Sequence, residues 1–435
     1  MPLINPLKPV VVLLAITSML AGCATTGVWL EADTKNYQER LQIKTSGGVR
    51  VSTSVLSASE SLAIYGVPLA SKGIQPVWIE VENNDDRAYW LLQSGVDPHY
   101  FPATEAADAF SPYLGRRINQ KLEVKFRQLA FKNPVMPGKT ASGFVLTNLD
   151  EGVKMVELDL VTSGHLKTFS FLAAVPGFRA DYAGKEDQES AFYATYGLVN
   201  YTDDAAFRAA LEALPCCTTN KKGTRQGDPL NLVIVGDNED AFPALVRRGW
   251  SPTEATYAGS VRKMIGSTLS QERYPYAPIS PLYLYDRPQD FALQKARDNV
   301  HQRNHLRLWR SPMQYHGKPV WLGQISRDIG TRLTIHSPYL TTHKIDPDVD
   351  EALLALVQDL VYSRFLARIG FVKGVGAAPK NAPRENLTTD PYYTAGYRGV
   401  LFFNRHPTSL ADIELLPWER RKGGMVDAAI KNGEK

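Results

Sequence analysis

Residues 232–236 read Leu232-Val233-Ile234-Val235-Gly236, and this short apolar run decides the fold of the C-terminal half. Four consecutive aliphatic residues ended by a glycine predict a strand that is buried on both faces. The stretch from Asp240 to Arg248 follows with helical character and stops at Gly249, as expected of a helix end. A strand that leads into a helix therefore opens this domain.

The sequence on the C-terminal side of this run predicts more strands and one long helix. The apolar and alternating runs that predict strands are Leu282 to Tyr285, His305 to Trp309, Val320 to Ser326 and Gly399 to Phe403. The amphipathic run from Pro347 to Ile369 predicts the helix. We therefore expect residues 191–405 to form an α+β domain with a mostly antiparallel sheet.

The N-terminal half has the two-residue period of half-buried strands. Val49, Val51, Thr53 and Val55 share one side of a run, and three further runs follow at 143–148, 154–161 and 166–175 with short turns between them. Short strands with close turns predict an Ig-like β-sandwich over residues 48–178. A tether at 23–47 would precede it and a polar linker at 179–190 would follow. Together with the α+β domain, this predicts a multidomain protein.

The amino-acid composition is that of a protein with two ordinary hydrophobic cores. The chain has 435 residues, of which 44% are hydrophobic and 22% charged, and its formal net charge is +4. So small a positive charge gives no argument for nucleic acid as a partner. No cofactor is indicated either.

The first 23 residues resemble a bacterial lipoprotein signal peptide. Lys8 precedes a short apolar stretch with its core at 10–16, and Leu20-Ala21-Gly22-Cys23 ends the segment. The stretch is too short to span a bilayer, which needs about 20 apolar residues, so residues 1–22 are expected to be a cleaved signal. An uncleaved anchor or an ordinary secretory signal are the alternatives.

The lipoprotein resemblance implies a lipid on Cys23 and hence a protein anchored in the cell envelope. Ala24, in place of the Asp that retains lipoproteins in the inner membrane of enteric bacteria, implies the outer membrane, facing the periplasm. No apolar run after Cys23 is long enough to cross a membrane.

Cys216 and Cys217 are adjacent, so their Cα atoms lie about 3.8 Å apart, below the usual disulfide range of about 4.4 to 6.8 Å. A bridge between them would be strained. We therefore interpret them as two small hydrophobic residues beside Pro215, with a redox switch as the alternative.

Three long motifs resemble the LssY C-terminal domain family, over about residues 227–403. They are 281–290 (PLYLYDRPQD), 303–309 (RNHLRLW) and 342–350 (THKIDPDVD). The family is named after a protein proposed to act in type I secretion, and some members fuse the domain to a lipid-phosphatase-like membrane domain. The resemblance implies no established activity for the domain itself. This chain has no such phosphatase unit, so a phosphatase role is not carried over.

Alternation along 301–309 predicts a two-faced strand. His301, Arg303, His305, Arg307 and Trp309 point to one side, and Leu306 and Leu308 to the other. Arg327 or Asp328 from the next strand would join the first side, depending on register. Arginine and histidine beside tryptophan suit a phosphate or a carboxylate, so an anionic lipid headgroup or an envelope polymer is the expected ligand.

Other interpretations of these residues stay open. The arginines could pair with Asp286, Asp290 and Asp328 in a purely structural network. His301 or His305 with His343 and Asp346, Asp348 or Asp350 could hold a metal, although Asp346 also fits as a helix N-cap. A His343–Asp346 pair could orient a general base, with Ser326 as the nucleophile to test.

These observations predict a non-enzymatic envelope lipoprotein that binds an anionic ligand or a secretion or envelope protein partner. The candidate ligand-binding residues are Arg303, His305, Arg307, Trp309, Arg327, Asp328, His343 and Asp346. The alternative is an envelope phosphoester hydrolase that uses the same cluster, with or without a metal. Residues 406–435 turn polar and are expected to form a flexible tail.

Overall fold

The computed structural model describes residues 36–110, 116–150, 152–177, 188–253, 279–296, 303–333 and 341–419. The predicted signal peptide and residues 23–35 of the predicted tether, including Cys23, lie outside these residues. So do residues 179–187 of the predicted linker, residue 178 at the end of the predicted sandwich, His301 and residues 420–435. The side chain of His343 is also outside the description.

The described chain is β-rich, with several antiparallel sheets and eight α-helices. Up to residue 177, its elements are β1 (Gln42–Ser46), β2 (Val49–Val55), α1 (Ala58–Tyr65), β3 (Ile74–Asn83), β4 (Trp90–Leu91), α2 (Gln93–Val96), α3 (Ala103–Asp108), α4 (Arg116–Leu129), β5 (Lys139–Asn148), β6 (Val153–Thr162) and β7 (His165–Ala174). Two 3₁₀ turns lie at Tyr37–Arg40 and Leu69–Lys72.

From residue 188 on, the helices and strands are α5 (Gln188–Tyr196), β8 (Val199–Tyr201), α6 (Asp204–Glu212), β9 (Cys217–Thr219), β10 (Gln226–Pro229), β11 (Leu232–Val235), α7 (Asn238–Arg247), β12 (Ser251–Pro252), β13 (Tyr283–Leu284), β14 (Arg287–Pro288), β15 (Phe291–Ala296), β16 (Arg303–Tyr315), β17 (Lys318–Leu333), β18 (Thr341–Ile345), α8 (Val349–Val361), β19 (Leu366–Val372), β20 (Arg384–Glu385), β21 (Pro391–Tyr392), β22 (Arg398–Phe403) and β23 (Glu414–Leu415). A 3₁₀ turn lies at Leu410–Asp412.

The N-terminal unit packs two antiparallel sheets on one core. Within the described residues, one sheet has the order β1-β2-β3-β5 and the other β4-β6-β7. Val51 and Ile79 of the first sheet share a core with Leu158 and Phe171 of the second. Alternation explains this core, because every second side chain of each strand points to the facing sheet.

The C-terminal unit is built on a ten-stranded mixed sheet, as far as the chain is described. Its order is β12-β15-β16-β17-β11-β22-β19-β23, with β18 paired to β17 and β8 paired to β16. The parallel pairs are β11 with β22, β8 with β16 and β19 with β23. The other pairings along this sheet are antiparallel, so the sheet is mostly antiparallel, as expected from the sequence.

The run that begins at Leu232 is the centre of this sheet. All four residues of β11 are buried, and the strand lies between β17 and β22. Leu232 and Ile234 face the side covered by α7 and α8, in a core with Leu306 and Leu308. Val233 and Val235 face the opposite side, in a second core with Phe207 and Trp309. We call this opposite side the second face.

The long C-terminal helix is shorter than its predicted extent. Asp348, rather than Asp346, is the N-cap, because its side chain accepts from the N–H groups of Asp350 and Glu351. The helix ends at Val361, and Arg364 then has a positive φ of 68°. The apolar residues from Leu366 to Ile369 belong to β19, and a buried strand cannot be told from a buried helix by periodicity alone.

Two further predictions differ from the structure. Cys216 and Cys217 form a disulfide between adjacent residues, with Cα atoms 3.7 Å apart, so their interpretation as reduced small hydrophobes is wrong. Part of the predicted flexible tail is packed, because β23 pairs with β19 and Leu416 is buried in the second-face core. These elements are too short to show a period in the sequence.

Candidate ligand-binding site

Strand β16 carries the candidate residues into the second face. Arg303, His305 and Arg307 are 3%, 6% and 9% exposed, and Leu306 and Leu308 point into the opposite core. The alternation therefore places the three polar side chains together, as the sequence predicts. It places them in the interior, however, rather than on an open surface.

His305 is paired with a carboxylate from the neighbouring strand. Its Nε2 lies 2.6 Å from Oδ2 of Asp328, and both side chains are buried. The register of β16 and β17 puts Ser326 directly opposite His305, on the same face. Asp328, and not Arg327, therefore joins the cluster.

Each of the two arginines donates to a glutamine of an adjacent strand. Arg303 Nη1 donates to Gln294 Oε1 on β15 at 3.0 Å, and Arg307 Nη1 donates to Gln324 Oε1 on β17 at 2.7 Å. Arg307 also donates through Nε and Nη2 to the carbonyl oxygen of Ser280, at 3.3 and 3.1 Å. An amide or carbonyl oxygen accepts these bonds without bringing a negative charge.

The first family motif anchors the chain above this face. Arg287 forms an ion pair with Asp290 at 2.5 Å and donates to the carbonyl oxygen of Arg310 at 2.8 Å. Asp290 in turn accepts from the backbone N–H of Arg310 at 2.7 Å. These contacts fix the motif onto β16 and explain why Ser280 reaches Arg307.

Trp309 lies on the second face but is not a stacking surface. Its side chain is fully buried in the core with Leu282 and Leu284 of the first motif. The first motif therefore covers the Trp309 ring. Within the described ranges, the indole Nε1 has no hydrogen-bond partner.

Arg327 and Asp346 belong to another part of the domain. Arg327 alternates to the helix-covered side, where its Nη2 lies 2.8 Å from Glu351 and 3.2 Å from Asp346. The N–H of Asp346 donates to the carbonyl oxygen of Arg327 at 2.7 Å. These two residues attach the start of α8 to β17. They are therefore not part of the cluster, although the sequence predicted that they would be.

The metal alternative finds no support among the described residues. No group of three or more His, Cys, Asp or Glu side chains there is arranged to hold an ion. The backbone of His343 on β18 pairs with Thr331. His301 and the side chain of His343, on which this alternative also depended, lie outside the described residues.

A buried acidic group that no sequence pattern indicated lies beside Arg307. Asp228 accepts from the amide of Asn386 at 3.3 Å, and Asp390 is buried nearby. Burial raises the pKa of the Asp228 carboxyl, although the charge of Arg307 acts in the opposite direction. Asp228 lies between Gly227 and Pro229, in a stretch without any period, so no sequence signal marked it.

Taken together, the fold and the cluster define a β-rich protein whose C-terminal mixed sheet holds a buried group of Arg, His, Asp and Gln side chains. The family model described as LssY C-terminus matches residues 209–397, which confirms the predicted LssY C-terminal domain. A comparison with curated proteins gives no match. Among the described residues, the structure has no helix with the length and apolar character that membrane crossing requires.

Proposed function

We propose that this protein is a non-enzymatic envelope lipoprotein whose LssY C-terminal domain binds a small anionic group on its second face. The observation that carries the proposal is the alignment of Arg303, His305 and Arg307 on one side of β16. Guanidinium groups recognise phosphate and carboxylate through a planar fork of donors. The headgroup of an anionic lipid is the expected ligand, and an envelope polymer or an envelope protein partner is the alternative.

Burial limits the size of the ligand that this face can bind. Arg303, His305 and Arg307 are all less than a tenth exposed. Burying two guanidinium groups costs free energy, and an anion placed against them offsets part of that cost. A single headgroup phosphate fits so enclosed a face better than a broad polymer surface does.

The rest of the chain would place this domain at a membrane. A lipid on Cys23 would anchor it, and Ala24 favours the outer membrane, facing the periplasm. The N-terminal unit, with its two sheets on one core, would then act as an Ig-like spacer or docking module.

Vesicle co-sedimentation of the full chain tests the binding proposal. We expect the protein to bind phosphatidylglycerol in phosphatidylcholine vesicles, and Arg307→Gln to weaken that binding by about tenfold. Arg310→Gln is the matched control, because Arg310 lies on the same strand with its guanidinium against the Trp321 ring on the opposite face. Equal binding by the two variants would contradict the proposal.

Metabolic labelling tests the anchor separately. The wild-type protein should incorporate labelled palmitate, and Cys23→Ser should not. A wild-type protein that stays unlabelled would remove the proposed anchor while leaving the binding site untouched.

A second candidate function depends on the spatial arrangement of Asp328, His305 and Ser326. A carboxylate 2.6 Å from a histidine, with a serine opposite that histidine, is an arrangement that can activate a nucleophile. The activity would be hydrolysis of envelope phosphoesters. Turnover of a phosphodiester substrate that disappears in Ser326→Ala would support it, and turnover unchanged by that substitution would exclude Ser326 as the nucleophile.

A further inference from the structure

Gln324 presents its amide N–H₂ group to the interior of the second face. The side chain is fully buried, and its Oε1 accepts from Arg307. A guanidinium can only donate, so the amide must turn its oxygen toward Arg307 and its nitrogen away. That Nε2 has no hydrogen-bond partner among the residues that the structure describes.

The indole of Trp309 adds a second donor of the same kind. Its Nε1 is buried and also has no hydrogen-bond partner in the described part of the chain. Trp309 follows Arg307 by two residues on β16, so both side chains point to the second face. Gln324 is opposite Arg307 in the register, which makes Trp309 and Gln324 diagonal neighbours within reach of long side chains.

Two unpaired donors in one small region are costly for a folded protein. A buried donor without an acceptor loses its hydrogen bonds to water without replacing them, and most buried polar groups in proteins are paired. Both groups here are donors, and the side chain between them is a third donor. The three donors therefore favour a ligand that offers a hydrogen-bond acceptor atom.

We propose that Gln324 Nε2 and Trp309 Nε1, together with Arg307, form an oxyanion subsite that binds one phosphate group. The inference rests on the proposed function and adds its chemistry, because it gives Trp309 a specific donor atom and adds Gln324 to the candidate ligand-contacting residues. The phosphate is either a free ion or the headgroup of a lipid. An ordered water that accepts from both donors is the competing occupant.

Gln324→Glu tests the subsite with little change in shape. The carboxylate keeps an acceptor oxygen for Arg307, so the variant is expected to fold, but it replaces the donor with a negatively charged acceptor. Calorimetric titration with inorganic phosphate should show wild-type binding and a loss of more than about tenfold in the variant. Gln314→Glu, the same chemical change at a partly exposed site elsewhere on β16, should bind like the wild type.

The same proteins with phosphatidylglycerol vesicles distinguish the two sources of phosphate. Binding of inorganic phosphate that is lost in Gln324→Glu assigns a free ion. Binding of vesicles alone, lost in the same variant, assigns a headgroup. In either case Trp309→Phe, which removes the second donor and keeps an aromatic ring, should weaken binding by a few-fold, and it supplies the test if Gln324→Glu does not fold.

The failure of this inference can be told from the failure of the proposed function. If the wild type binds an anion and Gln324→Glu and Trp309→Phe bind it equally well, the subsite is wrong, while the proposed function stands. If the wild type binds neither phosphate nor anionic vesicles, both are overturned.

Discussion

His305 and Asp328 join β16 and β17 through a 2.6 Å contact inside the second face. One residue earlier on β17, Arg327 points to the other side of the sheet and holds the start of α8 through Asp346 and Glu351. Because successive side chains of a strand point to opposite faces of the sheet, these two adjacent residues have separate roles. The carboxylate supports the candidate site, and the arginine attaches the helix.

Loss of the Asp328 carboxylate should destabilise the domain. Asp328→Ala leaves the buried His305 without its charge-assisted partner, and such a bond contributes about 1.5–3 kcal/mol. Urea unfolding should show a decrease of about that size in the free energy of unfolding. Asp86→Ala, at an exposed carboxylate, is the control and should change it by less than about 0.5 kcal/mol. Equal effects would mean that the His305 pair is not formed in solution.

Asp228→Asn should change how stability depends on pH. Burial raises the pKa of Asp228, so the folded state keeps its proton at pH values where the unfolded state has lost it. Stability from this group therefore falls as pH rises from the usual carboxyl range through the raised pKa. We expect Asp228→Asn to be more stable than the wild type at about pH 8, with a smaller difference at about pH 4. A difference that instead grows toward low pH would contradict the raised pKa.

Arg398 should be essential for the packing of α6 against the sheet. Its fully buried guanidinium donates to the backbone carbonyls of five residues: Leu211, Leu214, Pro215, Leu230 and Gly374. Burial lowers the pKa of this group to about 10. Arg398→Met leaves those carbonyls without donors, which predicts a loss of about 3 kcal/mol or more in urea unfolding.

The lysine variant refines this prediction. An ammonium has three donors and cannot reach five carbonyls, so Arg398→Lys should restore only part of the stability. Full rescue by lysine would show that charge, rather than the guanidinium fork, is what this position requires.

Arg247 should couple the N-terminal unit to the C-terminal unit. Its guanidinium lies 4.2 Å from the centre of the Phe365 ring and pairs with Glu157 of β6. Scanning calorimetry of Arg247→Ala should show the two units melting further apart in temperature than in the wild type. Arg248→Ala is the control, because Arg248 pairs with Asp359 of α8, within its own unit. The same separation in both variants would argue against a specific coupling by Arg247.

Period and register limited what the sequence could predict. Two-residue alternation was sufficient for β16, so the shared face of Arg303, His305 and Arg307 follows from the sequence. The choice between Arg327 and Asp328 depended on the pairing of β16 with β17, and this pairing has a register shift between Arg310 and Gln314. No single-strand pattern contains that information.

Long-range polar contacts could not be predicted from the sequence for a related reason. Asp228 and Asn386 are 158 positions apart, and Arg398 meets the carbonyl of Leu211 across 187 positions. Neither group lies in a periodic run. The helix start at Asp348 was missed by two residues because Asp346-Pro347 and Asp348 both fit the capping pattern, and only the backbone geometry selects one.

The most direct test of the central claim is a calorimetric titration of the full chain with short-chain phosphatidylglycerol. The comparison is between the wild type and the double variant Arg303→Gln/Arg307→Gln, with Arg310→Gln as the control. We expect the wild type and the control to bind alike and the double variant to bind about a hundredfold more weakly, a difference of about 2.7 kcal/mol. A folded double variant that binds as tightly as the wild type would contradict it.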